Sequence, residues 1–299
     1  MKNQIRKIVT MIIVCVPLVC TLLSCGKKNA SVAPSASQAE SESMSSIKTK
    51  SLYKVMPLGD SITAGWCAGS SEHQFGGYRI YLTANLEANG YAENFDFVGK
   101  WNTGEGYDMD NSGTNGACIA KDQDWANSVQ TDVNEGILKT YDPDLVLLQI
   151  GTNDICSQDE TDEQLQIETI GNRLETLVDT ILSELDEEKV LFLASIPYMQ
   201  GNSSKYNTDV DNYNSIIKRL AGRKATEGKN VIFVDVNSVV GSDQFDDDLH
   251  PNQSGYESIG NLWYEVLTGY FANPEDYLKT ALENTSALYN PSNDNNSNK

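Results

Sequence analysis

Positive charge is scarce in this sequence of 299 residues. Lysine and arginine together number 22, against 42 aspartate and glutamate residues, and the formal net charge is −20. A surface of this sign repels phosphate backbones and anionic lipid headgroups, whereas it tolerates neutral or cationic partners. The sequence therefore predicts no binding of nucleic acid.

Histidine is rarer still, because the chain has only His73 and His250. A metal site built mainly from imidazoles is therefore excluded, and any chemistry that needs an imidazole base has two candidates. The acidic segment 243–248 could hold a calcium ion, but runs of aspartate are usually solvated. We expect neither a metal nor a cofactor.

Long apolar runs are confined to residues 8–23, "IVTMIIVCVPLVCTLL", which follow the basic stretch "MKNQIRK". This pattern predicts an export signal over residues 1–24, because the run is short and close to the N-terminus for a membrane span. The segment "LLSC" resembles the lipobox of bacterial lipoproteins, in which the cysteine, here Cys25, is lipidated and becomes the new N-terminus. An ordinary secretion signal is the alternative. Both interpretations predict an exported chain.

The composition divides the rest of the chain into three parts. Residues 25–50 are rich in serine and alanine and poor in large apolar residues, which predicts a disordered tether. Residues 51–272 carry the apolar segments of one folded domain. Residues 273–299 are expected to form a disordered polar tail.

Cysteines are few, and only Cys67, Cys118 and Cys156 remain after the signal and a lipidated Cys25 are set aside. An odd number allows at most one bridge among them. One hypothesis is a disulfide that braces the loops of a site, and the other is three small buried thiols. Cys67 or Cys118 is also available, more weakly, as a nucleophile.

Short apolar segments alternate with longer segments of helical spacing through the folded part. The spacing predicts one helix over 127–141, among others, and strands in "LYKVMPLG", "NFDFVG", "PDLVLLQIG", "KVLFLASIP" and "NVIFVDV". The strands are apolar throughout instead of at every second residue, which indicates a parallel sheet covered by helices on both faces. The expected fold class is therefore α/β with a five-stranded parallel sheet.

Polar motifs follow these strands. "GDSIT" comes after the first strand, "DMDNSGTNGACI" after the second, "GTNDIC" after the third and "DQFDDDLHPNQSGY" after the fifth. Sites in open parallel sheets lie at the carboxyl ends of the strands, so we expect these motifs to meet. Each motif alone is typical of an ordinary turn or helix cap, but together they supply the serine, histidine and carboxylate of an acyl-transfer site. Ser61 is the candidate nucleophile.

His250 is the preferred candidate for the base. Asp247 stands three residues before it, close enough in a turn for a carboxylate to orient the imidazole. His73 lies in a polar loop where its sole acidic neighbour is the adjacent glutamate. The flanking residues Asp246 and Asp248 leave the identity of the carboxylate open, apart from the three-residue offset.

The set "GDSIT", "NSGTNG", "GTND" and "DDLH" resembles the four blocks of the GDSL, or SGNH, hydrolase family across essentially the whole folded region. The resemblance implies a flavodoxin-like fold of three layers, α/β/α, and ester hydrolysis without a metal. It implies that Ser61 is the nucleophile and that Asp247 and His250 form the final pair. The oxyanion would be held by the backbone N–H groups of Ser61 and Gly116 and by the side-chain amide of Asn153.

The second block departs from the family pattern at one position. Asn115 stands where a serine or another small residue usually precedes the glycine. Gly113, three residues before Gly116, is therefore a rival for the oxyanion role.

Within the family, "VMPLGDSITAG", "GGYRIYLTANL" and "FDFVGKW" resemble acetylxylan esterases and related carbohydrate deacetylases. This resemblance implies hydrolysis of O-acetyl esters on a polysaccharide or oligosaccharide such as acetylated xylan. The lipobox-like segment in turn predicts an enzyme that is lipid-anchored to the bacterial cell membrane or surface. Aromatic residues in or near the motif loops are candidates for stacking on sugars: Trp66, Trp101, Tyr107, Trp125 and Tyr198. Local packing is the alternative for each of them.

Two other functions fit the same residues. The same machinery could hydrolyse lipid or thioester acyl groups, which would require an apolar acyl slot. An alternative from a different class is a catalytically silent surface protein that binds glycan.

Overall fold

The strands form one sheet built around the first of them. The computed structural model describes residues 52–68, 76–120, 127–156 and 163–291. Strands within these residues are β1 (Tyr53–Gly59), β2 (Phe95–Phe97), β3 (Trp101–Asn102), β4 (Asp110–Gly113), β5 (Leu145–Gln149), β6 (Val190–Ala194) and β7 (Val231–Val234). The signal, Cys25, the whole tether, His73 and Trp125 lie outside the described residues.

β1 lies inside the sheet, with β5, β6 and β7 following it in parallel on one side. Its other side is shared, because residues 53–55 pair with β2 and residues 58–59 pair with β4. β3 pairs with β4 antiparallel at the outer edge. The parallel part therefore has five positions, in the order of flavodoxin-like folds.

The predicted α/β class with a mostly parallel sheet is confirmed, whereas the predicted number of strands is wrong. Among the described residues, the sheet has seven strands instead of five. One reason is that β2 and β4 divide a single position beside β1. The other is that β3 has only two residues, too few for a period-two pattern to show in the sequence.

Helices cover both faces of this sheet. They are α1 (Ser61–Ala64), α2 (Tyr78–Ala88), α3 (Val129–Asn134), α4 (Ile137–Tyr141), α5 (Thr152–Cys156), α6 (Glu163–Glu184), α7 (Asn207–Thr226), α8 (Gln253–Ala272) and α9 (Pro274–Ser286), with 3₁₀ turns at Gly201–Tyr206 and Val236–Val239. None of the helices in the described part of the chain combines the length and apolar character needed to cross a bilayer.

The core has two halves, one on each face of the sheet. In β5, Val146 and Leu148 face a layer formed by α3, α4, α6 and α7, whereas Leu145 and Leu147 face α2, α8 and α9. All four side chains are fully buried. Burial on both faces explains why the strands read as continuous apolar segments, and it gives the three layers of the fold.

The helix expected over 127–141 is divided in two. α3 ends at Asn134 and α4 begins at Ile137, with Gly136 between them at φ 87°. A left-handed residue stops the run of helical hydrogen bonds, and glycine adopts that conformation without steric cost. The prediction of one helix is therefore wrong at this glycine.

The folded region extends beyond the boundary expected at residue 272. Pro274 begins α9, Asn273 caps it by accepting the N–H of Asp276 at 3.3 Å, and Leu278 is buried. The prediction of a disordered tail from residue 273 is therefore wrong over α9. The polar composition of this segment masked an amphipathic helix whose few apolar residues all face the domain.

Candidate active site

Ser61 begins a one-turn helix directly behind the central strand. β1 ends at Gly59, and Asp60 caps α1 by accepting the N–H of Ile62 at 2.9 Å. Such a cap satisfies one of the donors that a helix leaves unpaired at its start. The strand, cap and helix together fix the direction in which the Ser61 side chain leaves the sheet.

Ser61, His250 and Asp247 form a chain of hydrogen bonds. Ser61 Oγ lies 2.9 Å from His250 Nε2, and His250 Nδ1 lies 2.8 Å and 3.0 Å from the two carboxylate oxygens of Asp247. An ionised carboxylate can only accept, so Nδ1 donates to Asp247 and Nε2 of the neutral ring accepts from the Ser61 hydroxyl. The arrangement can therefore remove a proton from the serine.

Backbone groups hold Asp247 in place. Its Oδ1 accepts from the N–H of Leu249 at 2.8 Å and from the N–H of His250 at 2.7 Å. Burial alone would raise the pKa of the Asp247 carboxyl, but the Leu249 N–H and the imidazole outweigh that effect and hold the pKa below its ordinary value. Asp247 is therefore ionised beside the imidazole at neutral pH.

The three consecutive aspartates have three different partners. Asp246 Oδ2 accepts from Cys67 Sγ at 2.7 Å, and Asp248 Oδ2 accepts from the N–H of Asn202 at 3.0 Å. Asp247 is the member of the run that bonds the imidazole, as the three-residue offset predicted. Within the described residues, no group of three or more histidine, cysteine or acidic side chains is arranged to hold a metal ion.

Gly116 lies at the exposed tip of a tight turn after β4. The N–H of Ala117 donates to the carbonyl of Thr114 at 3.0 Å, which closes a four-residue turn with Gly116 in third place at φ 70°. That place in such a turn favours glycine. A Cβ added to Gly116 would meet nothing within 4 Å, so this backbone faces open space.

Gly113 has a different environment. It is buried at the end of β4, where an added Cβ would lie 2.3 Å from the backbone nitrogen of Ala64. Its N–H donates to Asn111 Oδ1 at 2.9 Å. Gly113 therefore packs the strand end against α1, and the exposed backbone of the second block is that of Gly116.

Asn153 joins the third motif to the second. It lies in α5, which is separated from the end of β5 by two residues, and its Nδ2 donates to the carbonyl of Ala117 at 2.9 Å. This bond fixes the plane of the amide beside Gly116. The neighbouring Asp154 accepts from the N–H of Ile119 with both carboxylate oxygens, at 3.0 Å and 3.2 Å.

Two buried carboxyls that the sequence did not single out lie beneath the site. Asp60 and Asp154 are 1% and 6% exposed. Burial raises the pKa of each carboxyl to about 7, although the N–H groups of Ile62 and Ile119 favour the ionised forms. Both belong to the motifs "GDSIT" and "GTND", but spacing alone gives no sign that a carboxyl is buried.

The aromatic candidates are not equivalent. The ring of Trp66 lies against the imidazole, with its centroid 5.8 Å from that of His250. Trp101 on β3 and Tyr198 in the loop after β6 are exposed. These three residues lie near the carboxyl ends of the strands or on the adjoining edge strand.

Tyr107 lies at the opposite end of the sheet. Its ring packs edge-on against Phe95 with centroids 6.0 Å apart, and Phe95 pairs with Tyr53, the first residue of β1. A rise of about 3.3 Å per residue puts this contact roughly 20 Å from Gly59. The prediction that Tyr107 shares the edge of the site is therefore wrong, because the chain between β3 and β4 returns toward the amino ends of the strands.

No disulfide joins the three remaining cysteines, Cys67, Cys118 and Cys156. The hypothesis of a disulfide among them is therefore wrong, and burial raises the pKa of Cys156 to about 11. Nε2 of His250 is bonded to Ser61 Oγ and not to a thiol. This geometry favours the serine over a cysteine as nucleophile.

Known proteins resemble this chain in sequence. It is 36% identical over 240 residues to a multidomain esterase of Ruminococcus flavefaciens, an alignment that covers 73% of this chain and 28% of that protein. It is 30% identical over 136 residues to the putative endoglucanase X of Acetivibrio thermocellus, covering 43% of this chain and 51% of that protein. The chain thus spans about half or less of these relatives.

A solved structure resembles it in fold. The family 3 carbohydrate esterase of Clostridium thermocellum superposes with a TM-score of 0.58 at 27% identity, covering 74% of this chain and 98% of that one. Residues 58–257, which include the end of β1, the Ser61 motif and His250, match the model of the GDSL-like lipase/acylhydrolase family. Because that match covers more than half of this chain, the chain belongs to the GDSL-like lipase/acylhydrolase family.

Proposed function

We propose that this protein is a carboxylic ester hydrolase with Ser61 as its nucleophile. The observation that carries the proposal is the hydrogen-bonded chain from Ser61 Oγ through His250 to Asp247. Family membership supports it, because the matched residues include all three.

The first half-reaction starts at Ser61. Its Oγ attacks the ester carbonyl carbon while His250 Nε2 takes the hydroxyl proton. Asp247 keeps the ring oriented and stabilises the imidazolium that forms. The tetrahedral intermediate then expels the alcohol, which receives the proton from His250, and an acyl group remains on Ser61. A water activated by the same imidazole releases the acid and restores the serine.

The negative oxygen of the intermediate requires preorganised donors. We assign this role to the backbone N–H groups of Ser61 and Gly116 and to the side-chain amide of Asn153. The open space beside Gly116 and the bond that fixes the Asn153 amide support the assignment. Loss of one such donor typically lowers kcat by about 10²- to 10³-fold.

We propose O-acetyl groups on polysaccharide or oligosaccharide, such as acetylated xylan, as the substrate. One support is the likeness to a carbohydrate esterase and to a multidomain esterase. Another is the presence of exposed aromatic rings, Trp101 and Tyr198, in segments near the site. A neutral acetylated glycan is also compatible with a net charge of −20.

The test is acetate release by the full chain and by its Ser61→Ala variant, from acetylated xylan and from a short aryl acetate. We expect release from both substrates and loss of at least about 10³-fold in the variant. Hydrolysis of the aryl ester alone would support the serine site but would direct the search to lipid or thioester acyl groups. Activity retained by the variant would contradict the proposal.

The glycan assignment has its own test. Trp101→Ala and Tyr198→Ala should each lower kcat/KM on acetylated xylan by about 3- to 10-fold, the size of one aromatic contact, without changing kcat/KM on the aryl acetate. Tyr107→Ala is the matched control, since it removes an equally exposed ring far from the site. Equal losses in all three variants would contradict a glycan surface at this edge.

We also propose that the protein is exported and held at the bacterial cell membrane or surface by a lipid on Cys25. The basic stretch, apolar run and "LLSC" segment support this location. Fractionation of cells that express the full chain should find it with membranes, and Cys25→Ala should release it to the soluble fraction. A wild-type chain in the soluble fraction would contradict the anchor.

A further inference from the structure

We propose that Arg79 is a positioning residue of the acyl-transfer site, which holds the helix that carries Ser61 at a fixed distance from the strand that leads to Gly116. The inference rests on the proposed ester hydrolysis. Arg79 is the second residue of α2, and its side chain is fully buried.

The guanidinium bonds three separate segments at once. Nη1 donates to the carbonyl of Met109 at 3.1 Å, and Nη2 donates to the carbonyls of Ala64 at 3.2 Å and Thr103 at 3.0 Å. Ala64 ends α1, Thr103 directly follows β3, and Met109 directly precedes β4. One side chain therefore connects the nucleophile helix to both ends of the loop between β3 and β4.

The backbones of these segments meet without side chains between them. Gly65, which follows α1, has φ 90°, and a Cβ there would lie 2.1 Å from the nitrogen of Gly77. A Cβ on Gly104 would lie 2.6 Å from Gly76 Cα. The glycines allow these backbones to approach closely, and the Met109 side chain packs beside them, with its Cε 2.2 Å from a Cβ added to Gly76. To this packing the guanidinium adds hydrogen bonds of fixed direction between the segments.

The contacts continue from Arg79 to residues 111–113, which lead to the proposed oxyanion donor Gly116. Asn111 Nδ2 donates to the same Met109 carbonyl at 3.2 Å and to Thr103 Oγ1 at 3.0 Å. Asn111 Oδ1 accepts from the N–H of Gly113 at 2.9 Å, three residues before Gly116. Displacement of the guanidinium would therefore be felt at both α1 and the end of β4.

The energetic cost of burying the Arg79 guanidinium indicates that its role is to fix the geometry of the segments it bonds. A buried cation loses several kcal/mol of hydration, and an apolar side chain of similar volume would avoid that loss. Burial lowers the pKa of Arg79 to about 10, so the group is still a cation at neutral pH. A planar guanidinium presents donors in fixed directions, whereas a lysine ammonium offers a point charge.

The experiment compares Arg79→Lys and Arg79→Met with the wild-type full chain on a short aryl acetate. We expect kcat to fall by about 10- to 100-fold while KM changes by less than about 3-fold, because misplacement of the donors affects the transition state and not substrate binding. Thr83→Val is the matched control. Thr83 is buried one turn further along α2, and its hydroxyl bonds the carbonyl of Arg79 within the helix.

Hydrogen–deuterium exchange of the same variants gives a reading that does not depend on activity. Arg79→Lys should speed exchange in residues 61–65 and 111–117 together, and Thr83→Val should not. Unchanged exchange, or kcat within about 2-fold of wild type in Arg79→Lys, would overturn the proposal. The proposal would also be overturned if Thr83→Val lost as much kcat as Arg79→Lys at the same change in melting temperature. If the wild type hydrolyses no ester, the proposed function fails, but the exchange result still decides whether Arg79 couples the two segments.

Discussion

Asp247 in the acid loop, residues 246–250, and the two buried aspartates, Asp60 and Asp154, carry the same carboxyl group in different environments. Asp247 is partly exposed and bonded to two N–H groups and an imidazole, which hold its pKa low. Asp154 is buried and bonded to one N–H group, and burial raises its pKa to about 7. The carboxylate that bonds the imidazole thus lies near solvent and accepts from several donors.

The buried carboxyls serve a different purpose. Asp60 caps the helix that carries Ser61, and Asp154 ties the third motif to Ile119 of the second-block loop. The first contact is local, within two residues, and the second joins segments that are 35 positions apart. Burial therefore separates two roles for aspartates in the motifs: a partly exposed aspartate bonds the imidazole, whereas buried aspartates hold the backbone in place. Three predictions test this difference.

The largest effect is expected at Asp247. Asp247→Asn should lower kcat on an aryl acetate on the order of 10³-fold, because the amide neither fixes the imidazole tautomer nor stabilises the imidazolium. Steady-state kinetics of the full chain measure this loss. Asp248→Asn is the control, since Asp248 caps the 3₁₀ turn at Asn202 and does not touch the ring. A loss in Asp248→Asn as large as that in Asp247→Asn would remove the distinction within the loop.

An intermediate effect is expected at Asp154, in stability. Folding raises the pKa of the Asp154 carboxyl from 3.8 to about 7. At pH values between these two, the carboxyl is protonated in the folded protein and ionised in the unfolded chain. The stability from this carboxyl is therefore fully present below about pH 3.8 and is lost as pH rises through about 7. Linkage gives a decrease of about 2 to 3 kcal/mol between pH 5 and pH 8.

Denaturant unfolding of wild type and Asp154→Asn at these two pH values checks this. The free energy of unfolding of Asp154→Asn should change less between pH 5 and pH 8 than that of the wild type, because the variant lacks the titrating carboxyl. Asp132→Asn, which removes the same charge from the partly exposed ion pair with Lys100, should keep the wild-type dependence. An equal change in both variants would show that net charge, and not burial, sets the pH response.

The smallest effect is expected at Cys67. Cys67→Ala removes the donor to Asp246 at the start of the acid loop and should lower kcat by about 2- to 5-fold, since Asp247 keeps its own backbone bonds. Cys67→Ser, which restores a donor, should recover the loss. Kinetics on the aryl acetate compare the two, and a loss in the serine variant equal to that in the alanine variant would contradict an anchoring bond.

The sequence predicted those features of the molecule that depend on the order of apolar segments and polar motifs along the chain. Apolar segments followed by polar motifs predicted a parallel sheet, and the carboxyl-end rule predicted that Ser61 and His250 would meet although they are 189 positions apart. The three-residue offset also identified Asp247 as the partner of the imidazole.

Features that depend on tertiary contacts were not predictable in this way. Arg79 reads as one polar residue in an amphipathic helix, and nothing in its spacing indicates that three carbonyls surround it. Tyr107 lies close to the second motif in sequence but packs on Phe95 at the far end of the sheet. Both outcomes follow from loop paths, which periodicity does not describe.

The position of α9 has a consequence for self-association. Thr285 Oγ1 accepts from the N–H of Phe233 at 3.3 Å, so the helix covers part of the outer side of β7, one margin of the sheet. The other margin is formed by β2, with three residues, and by β3, which has two residues and follows Lys100. Short or covered edge strands give little template for pairing with another chain. Within the described residues, the sheet thus ends at both margins in ways that discourage edge-to-edge aggregation, and removing the chain after Ala272 would uncover one of them.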